Sequence, residues 1–261
     1  MCSIKKLKSA PISLAAALCL APLSCLAQAD RGAVYEVVTV VAKPGMSAKA
    51  EQGIKQVNAY AQSHGDTTGT AAFEVMFGPN EGNIIILIPF KWEDVDHPPG
   101  YEAGLQESIA KNVDPYVVSA HSTLVRLMPN LGNPGQANAP PQKYYQVLDL
   151  KVKPGKADDF IAAVTQLSAA EQKFNPQPNP VLLYEEVAGG NADDVVVAIG
   201  HPNFADIGKP GKSNAEVLTA AYGAPAARSI MNSLDSTIAS EENYIVAYRP
   251  DLSFTPGGQG Q

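Results

Sequence analysis

Residues Tyr35–Gly45 read YEVVTVVAKPG, and residues Tyr145–Gly155 read YQVLDLKVKPG. The two stretches match position by position at an offset of 110 (145 − 35). Each has the β-branched and aromatic content of a strand. Each then has Lys-Pro-Gly, which ends the strand because proline donates no ladder hydrogen bond and glycine permits the turn. A period this long indicates a duplicated domain rather than a solenoid.

The ends of the two copies also match. Arg126–Leu131 reads RLMPNL and resembles Ala247–Leu252, which reads AYRPDL, at an offset of 121 (250 − 129). The second copy therefore holds about eleven extra residues (121 − 110). The predicted organisation is a signal peptide at 1–29, a first unit at 30–131, a Pro/Gly-rich linker at 132–142, a second unit at 143–252 and a disordered tail at 253–261.

Each copy gives the same order of elements. A strand and an amphipathic helix come first, then two strands around a Gly-rich turn, then a second helical region and a last strand. Ser47 is the predicted N-cap of the first helix, and Gly223 and Pro225 are predicted to interrupt the last helical region. The order β-α-β-β-α-β is the ferredoxin-like pattern.

Both sides of the first strand of each copy are apolar, so the sheet face without helices must also be covered. The predicted fold class is α+β, with two tandem ferredoxin-like βαββαβ units packed sheet to sheet as an intrachain α+β barrel.

This arrangement resembles the dimeric α+β barrel superfamily. That superfamily includes antibiotic-biosynthesis-monooxygenase-like and NIPSNAP-like proteins, stress-responsive barrel proteins and haem-binding chlorite-dismutase-like proteins. The resemblance covers Val34 to Leu252 and rests on element order, apolar pattern and the strand-Lys-Pro-Gly-helix opening. It implies a fold and permits an oxidoreductase activity, but no motif carries a family's catalytic residues onto this chain.

The N-terminal segment has the pattern of a signal peptide. Lys5, Lys6 and Lys8 precede an apolar run, and Ala27-Gln28-Ala29 is a small-x-small cleavage pattern. We expect a mature chain from Asp30 that is periplasmic or secreted, with no membrane-spanning segment after cleavage. Its formal charge would be 16 − 26 = −10, which argues against nucleic acid as a partner.

All three cysteines, Cys2, Cys19 and Cys25, lie in this segment. The mature protein would therefore have no disulfide, thiolate nucleophile or cysteine-based metal site. The alternative is a lipoprotein signal that retains and acylates Cys25, but Pro22 stands where such signals have an aliphatic residue.

The four histidines, His64, His97, His121 and His201, do not have the spacing of a metal site, so no metal is predicted. His121 is interpreted as a residue at a helix–strand junction. His201 ends the third strand of the second copy, where the first copy has Phe90, and such a position can line a pocket. The stretch Trp92–Tyr101 is either a lid over a cavity or a solvated acidic loop.

The second copy is predicted to hold the larger cavity. Asp149 is a carboxylate in an apolar strand, which is costly to bury without a partner such as Arg126 or Arg228. Replacing a bulky position by Gly200-His201 and interrupting the last helix both make room beside the sheet. The predicted ligand-binding residues are Asp149, Tyr184, His201 and Arg228.

Three functions remain open at this level. The first is binding of a small, apolar or aromatic molecule without catalysis and without a resident cofactor. The second is a cofactor-independent or haem-dependent oxidoreductase of the α+β barrel type. The third is a structural or interaction role with the cavities filled by side chains. The sequence assigns no catalytic residue and leaves the oligomeric state open.

Overall fold

The computed structural model describes residues 32–133, 141–175, 179–209 and 211–256. They form the predicted β-α-β-β-α-β order twice. The first unit consists of β1 (Val34–Ala42), α1 (Ser47–Ser63), β2 (Ala71–Phe77), β3 (Ile84–Phe90), α2 (Glu93–Asp96), α3 (Glu102–Asn112) and β4 (Val117–Leu127). The second consists of β5 (Tyr144–Val152), α4 (Ala157–Phe174), β6 (Val181–Ala188), β7 (Val195–His201), α5 (Phe204–Ile207), α6 (Asn214–Tyr222), α7 (Ala224–Thr237) and β8 (Ile238–Tyr248).

The eight strands close into one antiparallel barrel in the order β1-β3-β2-β8-β5-β7-β6-β4. The first unit contributes β4-β1-β3-β2 and the second contributes β8-β5-β7-β6, which is the same order in each. The predicted fold class, two ferredoxin-like units forming an intrachain α+β barrel, is confirmed.

The sheets of the two units join edge to edge to close the barrel. Their edges are hydrogen-bonded at two places that we call seams. In the first seam β2 pairs with β8, for example Phe73 with Tyr248. In the second seam β4 pairs with β6, for example Arg126 with Glu185. The bare faces therefore meet as the interior of one barrel, with no free edge at the seams.

The barrel interior is filled by side chains. Tyr35 meets Tyr184 edge to face at 6.1 Å between ring centroids, and Phe73 meets Tyr145 in the same way at 5.5 Å. All four rings are buried, together with valines and leucines from both units. Such aromatic contacts add to the free energy of burial, so the interior holds the two units together.

The helices cover the outside of the barrel. α1 and α3 lie over the first unit's sheet, where Ile54 and Leu105 are buried. α4, α6 and α7 pack together over the second unit's sheet, where Phe160, Leu218 and Leu234 are buried. Within the described residues no helix combines the length and the hydropathy needed to cross a membrane.

Three local predictions have clear outcomes. The break between α6 and α7 is confirmed, since Gly223 has φ +82° there, a left-handed conformation that favours glycine. Ser47 is not the N-cap of α1, because Met46 holds that position and makes no side-chain cap. His121 is not at a junction, since it lies inside β4 opposite Thr39 of β1.

The folded part extends past the predicted boundary at Leu252. Phe254 is buried and exchanges backbone hydrogen bonds with Thr70, and the Ser253 hydroxyl accepts one from the Ala72 N–H. The predicted tail 253–261 is therefore wrong in its first residues, because an apolar side chain anchors them. At the end of the first unit, Asn133 makes the same bridge to Val181, so the predicted linker also begins too early.

Three predictions fall wholly or partly outside the described residues, one of them being the remainder of the predicted tail, 257–261. The second is the signal peptide at 1–29, and with it the mature start at Asp30 and the alternative acylation of Cys25. The third is the middle of the linker, 134–140.

Candidate functional site

Two of the four predicted ligand-binding residues, Asp149 and Tyr184, lie on the interior face of the barrel. Both are paired with Val196 of β7, Asp149 from β5 and Tyr184 from β6, so the three residues form a row across the sheet. Tyr184 is buried, and its burial together with the neighbouring Tyr35 and Tyr145 raises its pKa well above the usual value. Its hydroxyl therefore stays neutral at any physiological pH.

Asp149 has an ionic partner, but neither of the two that the sequence suggested. Lys151, two residues along the same face of β5, places its Nζ 3.2 Å from Asp149 and 2.7 Å from buried Asp194. Burial opposes the charge of Lys151, but the hydrogen bond to Asp194 and the charge of Asp149 outweigh it and raise the lysine pKa. Asp149 is thus a paired strand residue near one end of the barrel.

Two further groups share this charged end. Burial, with Asp194 nearby, raises the pKa of Glu186. Burial, with Asp149 nearby, raises the pKa of Tyr244 to about 12. Within the described residues, no group of three or more His, Cys, Asp or Glu side chains has the geometry to hold a metal ion.

His201 lies apart from these residues, at the end of β7 and opposite Tyr144 of β5. Its Nδ1 is 3.3 Å from Oδ2 of Asp206, while its buried Nε2 has no hydrogen-bond partner among the described residues. Asp206 also accepts from Lys209 and Asn179, and these contacts lower its pKa to about 2. The carboxylate therefore stays ionised and fixes the orientation of the imidazole.

Arg228 is exposed on the outer surface of α7. The structure therefore brings Asp149 and Tyr184 to one face of the sheet, and it places His201 and Arg228 elsewhere. The four residues do not surround one cavity in the described part of the chain.

A groove of about 630 Å³ lies instead at the second seam, outside the barrel. Its walls are Arg126–Leu131 at the end of β4, Ile161 and Thr165 of α4, and Glu185 of β6, with Gly32 at one side. Arg126 donates through Nη1 to Oε1 of Glu185 at 2.7 Å, and both side chains are about one-third exposed. The groove thus combines an apolar wall with a guanidinium–carboxylate pair.

The two seams have equivalent residues, which the strand registers identify. Val38 pairs with Ile86 and Leu148 with Val197, so the hairpins correspond at an offset of 111 (197 − 86). Glu74 is therefore the counterpart of Glu185 (185 − 74 = 111). The helices α1 and α4 begin at Ser47 and Ala157, an offset of 110 (157 − 47).

The first seam is closed by an ion cluster where the second has the groove. Arg249 donates to Glu51 at 2.7 Å, to Glu74 at 2.6 Å and to Asp251 at 2.9 Å, and Lys55 contacts Asp251 at 2.8 Å. We call these five residues the Arg249 cluster. The hydrogen bonds that Arg249 donates to Asp251 and Glu51 raise the pKa of the guanidinium, and the guanidinium lowers the pKa of Asp251.

The groove was missed at the sequence level, although its signal is present. Aligning α1 with α4 sets Glu51 against Ile161 and Lys55 against Thr165, so charged residues are replaced by uncharged ones on one helix face. The repeat alone gives this alignment. Nothing in it says that both helix faces border a seam, because the seams are formed by backbone pairing between units.

Comparison with known proteins supports the fold. No protein family description matches the chain, and no curated protein of similar sequence was found. Among solved structures, an anthrone oxidase-like protein is 13% identical with a TM-score of 0.52, covering 88% of this chain and 98% of its own. The likeness shows that the two chains share an α+β barrel fold.

Two further neighbours have a similar fold. A candidate monooxygenase from Lactobacillus acidophilus NCFM is 10% identical with a TM-score of 0.53, covering 87% of this chain and 97% of its own. A mutant chlorite dismutase from Candidatus Nitrospira defluvii is 8% identical with a TM-score of 0.51, covering 85% and 93% respectively. At these identities the likeness concerns the fold and not the chemistry.

Proposed function

We propose that this protein binds a small organic molecule with an apolar or aromatic body in the groove of the second seam. The observation that carries the proposal is the difference between the seams: the Arg249 cluster fills one, and its counterpart is open. A volume of about 630 Å³ is within the range of small-molecule sites.

The walls of the groove suit such a ligand. Ile161, Met128 and Leu131 offer apolar contact, while Arg126 and Glu185 offer a charged donor and acceptor that can fix its orientation. Arg126 and Glu185 come from different units, so a bound molecule would join the two halves of the chain.

An oxidoreductase activity is the second candidate, and its support is the fold of the neighbours. The names of those neighbours refer to a monooxygenase, an anthrone oxidase and a chlorite dismutase. The described residues that line the groove include no histidine, cysteine or tyrosine, so they do not fit a haem held by an axial ligand. The binding function is preferred because the groove itself supports it, whereas an oxidoreductase activity, with or without haem, rests on the likeness of fold alone. We also propose that the protein is exported, on the pattern of its first 29 residues.

The binding proposal is tested with Nile red, a neutral dye that fluoresces in apolar sites. The wild-type protein should bind it saturably, with one strong site. Thr165→Trp should abolish that site, because Thr165 lies at the exposed rim of the groove and an indole there fills it. Gln166→Trp, the next residue on the same helix, is also exposed but does not line the groove, so it should bind the dye normally.

Circular dichroism and thermal unfolding of both variants would confirm that they fold. Dye binding that is absent from the wild type, or unaffected by Thr165→Trp, would refute the proposed site.

A further inference from the structure

The two seams share a guanidinium–glutamate pair in which only the glutamate position is equivalent, since Arg249 corresponds to Met128 and Arg126 to Ala247 at the offset of 121. In both, a guanidinium pairs with a glutamate at the same strand position, Glu74 in the first and Glu185 in the second. In the first seam the guanidinium of Arg249 also meets the carboxylates of Glu51 and Asp251. In the second seam it belongs to Arg126 and meets a single carboxylate among the described residues.

The missing carboxylates have uncharged counterparts. Ile161 stands in place of Glu51 (161 − 51 = 110), and Asn130 stands in place of Asp251 (251 − 130 = 121). Both replacements line the groove. The groove is therefore bordered by the counterparts of two residues that supply carboxylates in the first seam.

The net charge of the second seam is also less negative than that of the first. The Arg249 cluster has two cations and three carboxylates, which is 2 − 3 = −1. The second seam has Arg126 and Glu185, which is 1 − 1 = 0. One added carboxylate would bring the second seam to the charge that is stable in the first.

We propose that the ligand of the groove is an organic carboxylate whose acid group binds Arg126 and whose apolar body lies against Ile161. This rests on the proposed binding function and specifies the class of ligand. Arg126 uses Nη1 for Glu185. A guanidinium has five N–H donors in a planar fork, so its other edge is suited to a second carboxylate.

The test compares an acid with the amide of the same shape. Naphthylacetate and naphthylacetamide are titrated against wild-type protein carrying Nile red, and displacement of the dye gives both affinities. The acid should bind about tenfold more tightly or better, because a hydrogen bond to a charged group is roughly twice as strong as a neutral one. In Arg126→Gln the ratio of the two affinities should fall to about one.

A second variant reproduces the first seam within the second. Ile161→Glu sets a carboxylate where Glu51 stands in α1, so it should compete with the acid and abolish its binding while the unfolding temperature is maintained or raised. Gln166→Glu adds the same charge to α4 outside the groove and should leave acid binding intact.

The outcomes separate the two proposals. If the wild type binds Nile red but has equal affinities for the acid and the amide, the proposal that the ligand is a carboxylate is wrong. The groove would still be a binding site. The same holds if Ile161→Glu binds the acid as tightly as Gln166→Glu does. A wild type that binds no Nile red would overturn the binding function, and the ligand class with it.

Discussion

Glu36 is a buried carboxyl in β1, and its counterpart in the second unit is Gln146 (146 − 36 = 110). Burial raises the pKa of Glu36, and a hydrogen bond with Ser122 offsets part of that rise. The second unit thus has, at the same position, a side chain of the same shape that never ionises.

We therefore expect Glu36→Gln to stabilise the protein at neutral pH. Because the folded-state pKa lies above the unfolded value of about 4.3, stability falls as pH rises through the interval between the two. Glutamine does not lose this stability. At pH 7 the variant should gain about 1 kcal/mol, or roughly 2–4 °C in Tm, and at pH 4 it should gain little.

Thermal unfolding at both pH values measures this, with Glu107→Gln on the exposed face of α3 as the control. A gain at pH 4 as large as at pH 7 would show that charge is not the cause.

The sequence indicated which charged residue needs an ionic partner, but it did not identify that partner correctly. The sequence indicated that Asp149 needs a partner, and it has one in Lys151, two residues away on the same strand face. The distant arginines seemed suitable by charge alone, but Arg228 is exposed on α7 and Arg126 binds Glu185. Local spacing on a strand was the better guide here, since residues i and i+2 share a face.

At the scale of elements, the helix starts differ in a way that can be tested. α6 begins with a capping box: the Ser213 hydroxyl accepts from the Glu216 N–H, and the Glu216 carboxylate accepts from the Ser213 N–H. α1 has Ser47 as its first helical residue and no side-chain cap. Serine near a helix start therefore has different roles in the two elements.

We expect Ser213→Ala to lower the free energy of unfolding by about 1 kcal/mol, the usual cost of losing an N-cap. Ser47→Ala should change it much less, since alanine is favoured inside a helix. Urea unfolding of both variants measures the difference. An equal effect of the two would mean that the capping box adds no stability.

The order of the elements was predictable because each has its own periodicity. The starts of β4 and β8 were not predicted, and the reason is physical. Both begin several residues earlier than their apolar pattern, at Val117 and Ile238. Their first halves are largely exposed, so the strands there are held by backbone pairing to β1 and β5 and show little apolar alternation.

At the scale of the whole molecule, the duplication could be predicted from the sequence, whereas the two seams could not. Matching segments at offsets of 110 and 121 established two units. The pairing of β2 with β8 and of β4 with β6 uses main-chain groups, which are the same for every sequence. The groove depends on that pairing, so its site could not be predicted from either copy alone.

The chain end belongs to the first seam, and this gives the last prediction. Leu252 and Phe254 are buried, Phe254 bridges to Thr70, and Ser253 accepts from the Ala72 N–H. These contacts join the end of the second unit to the start of β2, about 180 residues earlier in the chain (253 − 72 = 181). Asn133 makes the equivalent bridge to Val181 at the second seam, so the same contact is present in both copies of the repeat.

We therefore expect two truncations to behave differently. A chain ending at Pro256 loses only Gly and Gln residues and should keep the wild-type Tm. A chain ending at Leu252 loses the buried Phe254 ring and its hydrogen bonds, and should be destabilised by roughly 3 kcal/mol or more. Phe254→Ala in the full chain should reproduce most of that loss, which separates the ring from the shortened backbone. If the two truncated chains unfold at the same temperature in parallel scans, the contact seen at Thr70 does not contribute to stability and the fold ends at Leu252.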